Sequence, residues 1–152
     1  MDESGDAGRP LTPKGRRQLR KVASAMRAMK LEIDTVFASP FVRTQQTAEL
    51  VAKHLKVKRK PVLSYELRPG GSLEKLIRQI AAHKPAPENV LLVGHEPDLS
   101  ELLSRLITGS TTGGFNFKKA GLAKVETEKL RPGQCGTLAW QLTPGLMKLM
   151  ES

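Results

Sequence analysis

An α/β fold, with a mainly parallel sheet and an antiparallel hairpin at its edge, is predicted by three features of this 152-residue sequence. Short apolar runs rich in β-branched residues alternate along the chain with longer segments of helical periodicity. Two of those runs end in turns that open a helix: Thr35-Val36-Phe37-Ala38 runs into Ser39-Pro40, and Val90-Leu91-Leu92-Val93 runs into Gly94-His95-Glu96-Pro97. Near the end, the runs Gly121 to Glu128 and Gly136 to Leu142 flank Arg131-Pro132-Gly133, which predicts the hairpin.

Residues 1 to 9 are rich in Gly and Asp without periodicity and predict a mobile loop. Thr12 and Pro13 are an N-cap and first-turn pair, and Leu19, Val22, Met26 and Met29 then give one apolar stripe. Arg16, Arg17, Arg20 and Lys21 fall mainly on the opposite, wet face.

The segment Asp34 to Pro40 predicts a short buried strand, and Ser39-Pro40 predicts the start of a helix buried through Ala48, Val51 and Leu55. Pro61 to Leu67 predicts a third strand, and Ser72 caps a helix with Leu73, Leu76, Ile77 and Ile80 on one face. Asn89 to Gly94 is bounded by turn residues and predicts a parallel strand buried on both faces. Asp98 then predicts an N-cap, with Glu101 as its capping-box partner, for a helix carrying Leu99, Leu102, Leu103, Leu106 and Ile107.

The length fits one domain spanning residues 1–152, without internal repeats. No apolar run approaches the ~18 residues of a membrane span, and the first 15 residues do not read as a signal peptide, so a cytoplasmic protein with no membrane partner is expected. Cys135 is the one cysteine, which fits a reducing compartment and leaves no multi-cysteine metal site.

The net charge is +10, and Arg9 to Lys30 holds eight basic residues and no acid. Such a balance favours anionic partners. Only six aromatics are scattered along the chain, with no basic-aromatic alternation for stacking bases, so a phosphorylated substrate is preferred over nucleic acid.

Two positions stand out chemically. His95 steps off the carboxyl end of a buried strand, where open α/β sheets place their ligands; a turn histidine serving local backbone groups is the competing reading. Arg43 and Thr44 fall in the first turn of a helix that follows another strand end, where backbone N–H groups and a planar guanidinium suit an anion; a surface arginine is the alternative there. His54 and His83 lie within or at the end of helices and are expected to be solvated.

The ordered pair Ser39-Pro40-Phe41-Val42-Arg43-Thr44-Gln45-Gln46-Thr47-Ala48 and Gly94-His95-Glu96-Pro97, with Leu11-Thr12-Pro13-Lys14-Gly15 at a helix start, resembles the histidine phosphatase superfamily. The resemblance runs from about Pro10 to Pro144 and is strongest to small phosphohistidine phosphatases of the SixA type. It implies a three-layer, phosphoglycerate-mutase-like fold and hydrolysis through a phosphohistidine intermediate, with neither metal nor other cofactor.

Family motifs place a phosphate-binding arginine at Arg43, beside Thr44, and a charge-stabilising histidine at His95. The family's other arginine and its nucleophilic histidine belong to an Arg-His-Gly motif ending the first strand. No residue of this chain matches that motif, so no nucleophile is assigned; His95 in that role is the minor alternative. The first central strand is accordingly expected to be missing from its place between the strands containing Thr35 to Ser39 and Asn89 to Gly94.

Two readings follow: a phosphatase whose start was placed too late, or a non-catalytic relative that binds phosphorylated partners. Sequence-independent nucleic-acid binding is a weaker third. The short segment between Val57 and Ser72 leaves little room for an inserted general acid. Phosphohistidine needs less acid assistance than an ester because imidazole leaves more readily than an alkoxide. Phosphorylated proteins are therefore preferred over small substrates such as sugar phosphates.

Overall fold

The computed structural model describes residues 3–150. In order it contains α1 (Glu3–Ala7), α2 (Pro13–Ala28), β1 (Thr35–Ala38), α3 (Val42–His54), β2 (Val62–Leu63), α4 (Leu73–Ala82), β3 (Val90–Val93), α5 (Asp98–Thr108), β4 (Leu122–Thr127), β5 (Gly136–Leu142) and α6 (Pro144–Lys148).

The helix signals acted largely as the sequence predicts. Thr12 accepts a hydrogen bond from the Gly15 N–H at 3.0 Å, and Ser72 accepts one from the Lys75 N–H at 3.2 Å. In α2 the residues Leu19, Val22 and Met26 are buried while Arg17, Arg20 and Lys21 are exposed. Two caps differ. Helix α3 begins at Val42 rather than at Pro40, and Ser39 turns its hydroxyl elsewhere. Helix α5 begins at Asp98, and it is Glu96, not Asp98, whose carboxylate accepts the Ser100 N–H at 3.0 Å. Asp98 instead receives the Gly70 N–H at 2.8 Å.

Strands β2, β1 and β3 form a parallel sheet in that order. Side chains alternate across it. Phe37 and Leu92 point toward α4 and α5, packing with Leu76, Ile77, Leu102 and Leu106. Val36, Ala38, Leu91 and Val93 join the clusters formed with α2 and α3. This period-two division gives three layers, helix on sheet on helix. At the amino ends Asp34 accepts the Glu88 and Asn89 N–H groups at 3.0 and 2.6 Å, clamping β1 to β3 in register.

Several expectations are corrected. The segment 3–7 is helical where an irregular loop is predicted. Only Val62 and Leu63 of the third predicted strand pair with β1, after which Tyr65–Leu67 form a 3₁₀ turn. The hairpin β4–β5 forms a sheet of its own rather than the edge of the first. Thr35–Ala38 and Val90–Val93 pair directly, so no strand belongs between them. Finally, all four residues of β3 are half-buried instead of buried, because the edge of β3 away from β1 faces a gap rather than another strand.

Candidate active site

The parallel register brings the carboxyl ends of β1 and β3 level, since Ala38 stands opposite Val93. The turns that follow therefore meet. Ser39 is fully buried, and its Oγ lies 2.8 Å from His95 Nε2. On the other side of the ring, Arg43 Nη2 is 3.5 Å from His95 Nδ1. A guanidinium only donates, so Nδ1 presents its lone pair to Arg43 and the ring proton on Nε2 goes to Ser39. Phe41 packs edge-on against His95 with ring centroids 4.7 Å apart, and the Arg43 guanidinium lies 5.0 Å from the centroid of the same phenyl ring. The imidazole is thus held by a hydroxyl, a cation and an aromatic edge.

Thr44 is brought to the site but is already occupied there. Its one hydroxyl proton is shared between the Ser39 and Phe41 carbonyls, 2.8 Å away each, so its side chain braces the turn. What this turn offers an anion is the amino end of α3, whose first N–H groups lack intrahelical partners, together with Arg43.

Two members of the site escaped the sequence reading. Ser39 reads as a helix cap, and nothing local reveals that it reaches a residue 56 positions away. Asp6, in the segment expected to be loop, places its carbonyl 3.0 Å and its carboxylate 3.4 Å from Arg43 Nη1. Its carboxyl is held below the ordinary range by the Arg9 hydrogen bond, against some opposition from desolvation, with Arg43 assisting.

The remaining histidines are elsewhere. His54 ends α3, about 18 Å along the axis from its first turn, with Nδ1 3.0 Å from the Leu50 carbonyl; it is half-buried rather than solvated. His83 ends α4, edge-on to Phe37 and also half-buried. Among the described residues no three of His, Cys, Asp and Glu are grouped to hold a metal ion. No described helix is long and apolar enough to cross a membrane.

The histidine phosphatase superfamily (branch 1) model matches residues 3–69. Across nearly the whole chain, the protein histidine phosphatase SixA in complex with tungstate superposes with a TM-score of 0.80 at 29% identity, covering 97% of this chain and 92% of that one. The chain belongs to the histidine phosphatase superfamily. Phosphohistidine phosphatase SixA of Escherichia coli (strain K12) is 29% identical over 153 residues, covering 100% of this chain and 92% of that protein. An uncharacterized protein of Picosynechococcus sp. is 34% identical over 122 residues, 80% of this chain and 73% of that protein. A SixA-type structure from Nakamurella multipartitia shares the fold with a TM-score of 0.75 at 23% identity, covering 91% of this chain and 87% of that one. The superfamily assignment and the three-layer architecture expected from the two turn motifs thus hold.

Burial, aided by the Arg43 cation, pushes the His95 imidazole below its ordinary range, with Asp98 and Asp6 pulling the other way. A depressed histidine contributes stability above its unfolded value near 6.5, and that contribution is lost as pH falls below this value toward the folded pKa. An anion seated between Arg43 and His95 reverses the preference by favouring the imidazolium. Sulfate, whose charge is constant in this range, should therefore bind more tightly as pH falls from about 7.5 to about 6. Calorimetric titration across that range checks it, and His95→Gln should flatten the slope. A slope that persists in the variant would place the titrating group elsewhere.

Proposed function

We propose that this protein hydrolyses phosphohistidine on a protein substrate, without a metal, and that Arg43 and His95 hold and stabilise the transferring phosphoryl group. The observation that carries the reading is the convergence of Arg43 Nη2 and His95 Nδ1 at two adjacent strand ends, beside the amino end of α3. The likeness to a phosphohistidine phosphatase along the full chain supports it, as does the tetrahedral oxyanion in the related SixA structure. A single cysteine supports a cytoplasmic location.

The chemistry divides into two steps. An imidazole nitrogen attacks phosphorus, the bond to the leaving imidazole breaks, and the leaving nitrogen takes up a proton; water then cleaves the new phosphohistidine. Arg43 would neutralise equatorial oxygens by paired N–H bonds, and His95, taking up a proton from solvent as the incoming negative charge favours the imidazolium, would donate to another. Ser39 and Phe41 fix the His95 ring so that little reorganisation accompanies the reaction. Neither His54 nor His83 can reach this point and His95 is taken here as the charge stabiliser, so the reading needs a further attacking imidazole; the resemblance implies that it would belong to an Arg-His-Gly motif, which residues 1–152 do not show. A phosphoprotein-binding, non-catalytic role is the second reading, favoured by the same single histidine at the site.

The test is a phosphohistidine-peptide assay on the 152-residue chain and on a form extended by the in-frame upstream codons. Turnover by the extended form alone, unchanged in EDTA, is the expected result. Binding without turnover by both forms would favour the second reading. Turnover that needs added metal, or that the 152-residue chain performs after His95→Ala, would overturn the proposal.

A further inference from the structure

The segment that follows β2 crosses the carboxyl edge of the parallel sheet toward the candidate site. Leu63 stands level with Ala38, and Ala38 with Val93, so Ser64 comes beside Ser39 and, one strand further on, Gly94. The Ser64 N–H continues the ladder by donating to the Ala38 carbonyl at 2.8 Å. Two strand spacings of ~4.8 Å put the start of this segment about 10 Å from the turn that carries His95.

Its neighbours fix it there. Leu67 is buried against Gly94, so closely that a Cβ on that glycine would lie 3.2 Å from Leu67 Cδ2. The Gly70 N–H donates to the Asp98 carboxylate at 2.8 Å, and the Ser72 N–H to the Glu66 carboxylate at 2.6 Å. Gly71 approaches the Glu66 carbonyl so closely that a Cβ would come within 2.1 Å of its oxygen. A loop pinned in this way holds one position relative to His95 and Arg43.

Two side chains of the loop remain for solvent. Tyr65 is 69% exposed and Arg68 is exposed beside it, three residues on at a 3₁₀ turn, where such pairs share a side. The Arg68 guanidinium lies 5.1 Å from the Tyr65 ring centroid, and its Nε donates to the Tyr65 carbonyl at 3.0 Å. Ring and backbone thus hold the cation in place. Among the described residues neither Nη of Arg68 has a hydrogen-bond partner, and no carboxylate pairs with it. The nearby acids are already engaged, since Glu66 and Asp98 each accept a backbone N–H.

We propose that Tyr65 and Arg68 form a specificity subsite that recognises an acidic residue flanking the phosphohistidine of a substrate protein. The inference rests on the phosphoryl site proposed above. A planar guanidinium with its outer N–H groups free takes a carboxylate in paired bonds, and the ring over one face holds it against the charge it must meet. An extended substrate advances ~3.3 Å per residue, so the acid falls within about three residues of the phosphohistidine. A diffuse basic surface would favour acids at any position, whereas a pinned pair favours one.

The test is calorimetric titration of the 152-residue chain with peptides that carry phosphoryltriazolylalanine, a hydrolysis-resistant mimic of phosphohistidine. Glu or Lys occupies each of the three positions on either side of the mimic in turn. At one position Glu should bind roughly fivefold to tenfold more tightly than Lys, as gaining an ion pair and losing a repulsion require. Arg68→Glu should reverse that preference, and Tyr65→Phe, which keeps the ring, should retain it. Lys58→Glu makes the same change in net charge on the connector entering the opposite end of β2, and should leave the preference as it is. Equal binding of the Glu and Lys peptides at every position, or a preference that Lys58→Glu alters as much as Arg68→Glu, would overturn the inference and leave the phosphoryl site standing. Unphosphorylated peptides that bind as tightly as the phosphoryl forms would overturn both.

Discussion

Replacing Arg43 by Ala should cost phosphate or vanadate binding about 2 kcal/mol or more, roughly a thirtyfold loss of affinity, as expected for a charge-assisted hydrogen-bonding group. Its side chain is only 32% exposed, its Nη2 is directed at His95, and its Nη1 is held by Asp6, so the guanidinium is pre-aimed rather than searching. Arg16 and Lys58 offer the same charge from α2 and from the basic connector, without such fixation. Lys58 is exposed and Arg16 half-buried, and neither has a recorded side-chain bond among the described residues, so Arg16→Ala and Lys58→Ala should each change affinity by less than about 0.5 kcal/mol in ordinary salt. Equilibrium titration of the three variants decides between a pocket and a diffuse surface. Equal losses at all three would assign the binding to the +10 net charge and not to the site.

The sequence revealed most where a signal was local. Thr12 and Ser72 announce helix starts because capping needs only a hydroxyl and an N–H three residues on. Arg43 and His95 were legible as a pair because each follows a buried strand, and parallel strands deliver their ends to one side. Long-range partners left no such trace. Ser39 serves His95 instead of capping α3, and Glu96 takes the capping role assigned to Asp98, which is drawn away by the Gly70 N–H.

Strand order was the other failure. Two apolar runs of similar composition say that both are buried but not which neighbours they take, and β1 pairs directly with β3 through four residue pairs. Among the described residues the unpaired edge lies instead on the far side of β3. Its half-buried residues record that placement, since a run as apolar as Val90 to Val93 is ordinarily covered on both faces.

The other large effect is on stability. Phe37→Ala should destabilise the protein by ~3 to 5 kcal/mol, the usual cost of emptying a buried aromatic position. Phe37 is fully buried on β1, the middle strand of the parallel sheet, with Val62 and Leu92 as its ladder neighbours. Its ring packs in the cluster of Leu67, Leu76, Ile77, Ile80, Leu102 and Leu106, and it meets the His83 ring edge-on at 5.4 Å. Several of those neighbours, Ile77, Ile80 and Leu102 among them, also line the cavity beside β3, so they have room to shift. Partial collapse around the deleted ring puts the expected loss toward the lower figure. Against a total of about 5 to 15 kcal/mol, even that is a large fraction, and it corresponds to a fall in melting temperature of roughly 6 to 12 °C. Leu63→Ala, on the exposed edge strand β2 at 47% exposure, supplies the contrast and should stay within about 0.5 kcal/mol. Urea unfolding measures both, provided the slope of the transition is unchanged. A Phe37→Ala loss below about 1 kcal/mol would mean that the helices on this face do not depend on β1 for their packing, and the three-layer core described for α4 and α5 would have to be redrawn.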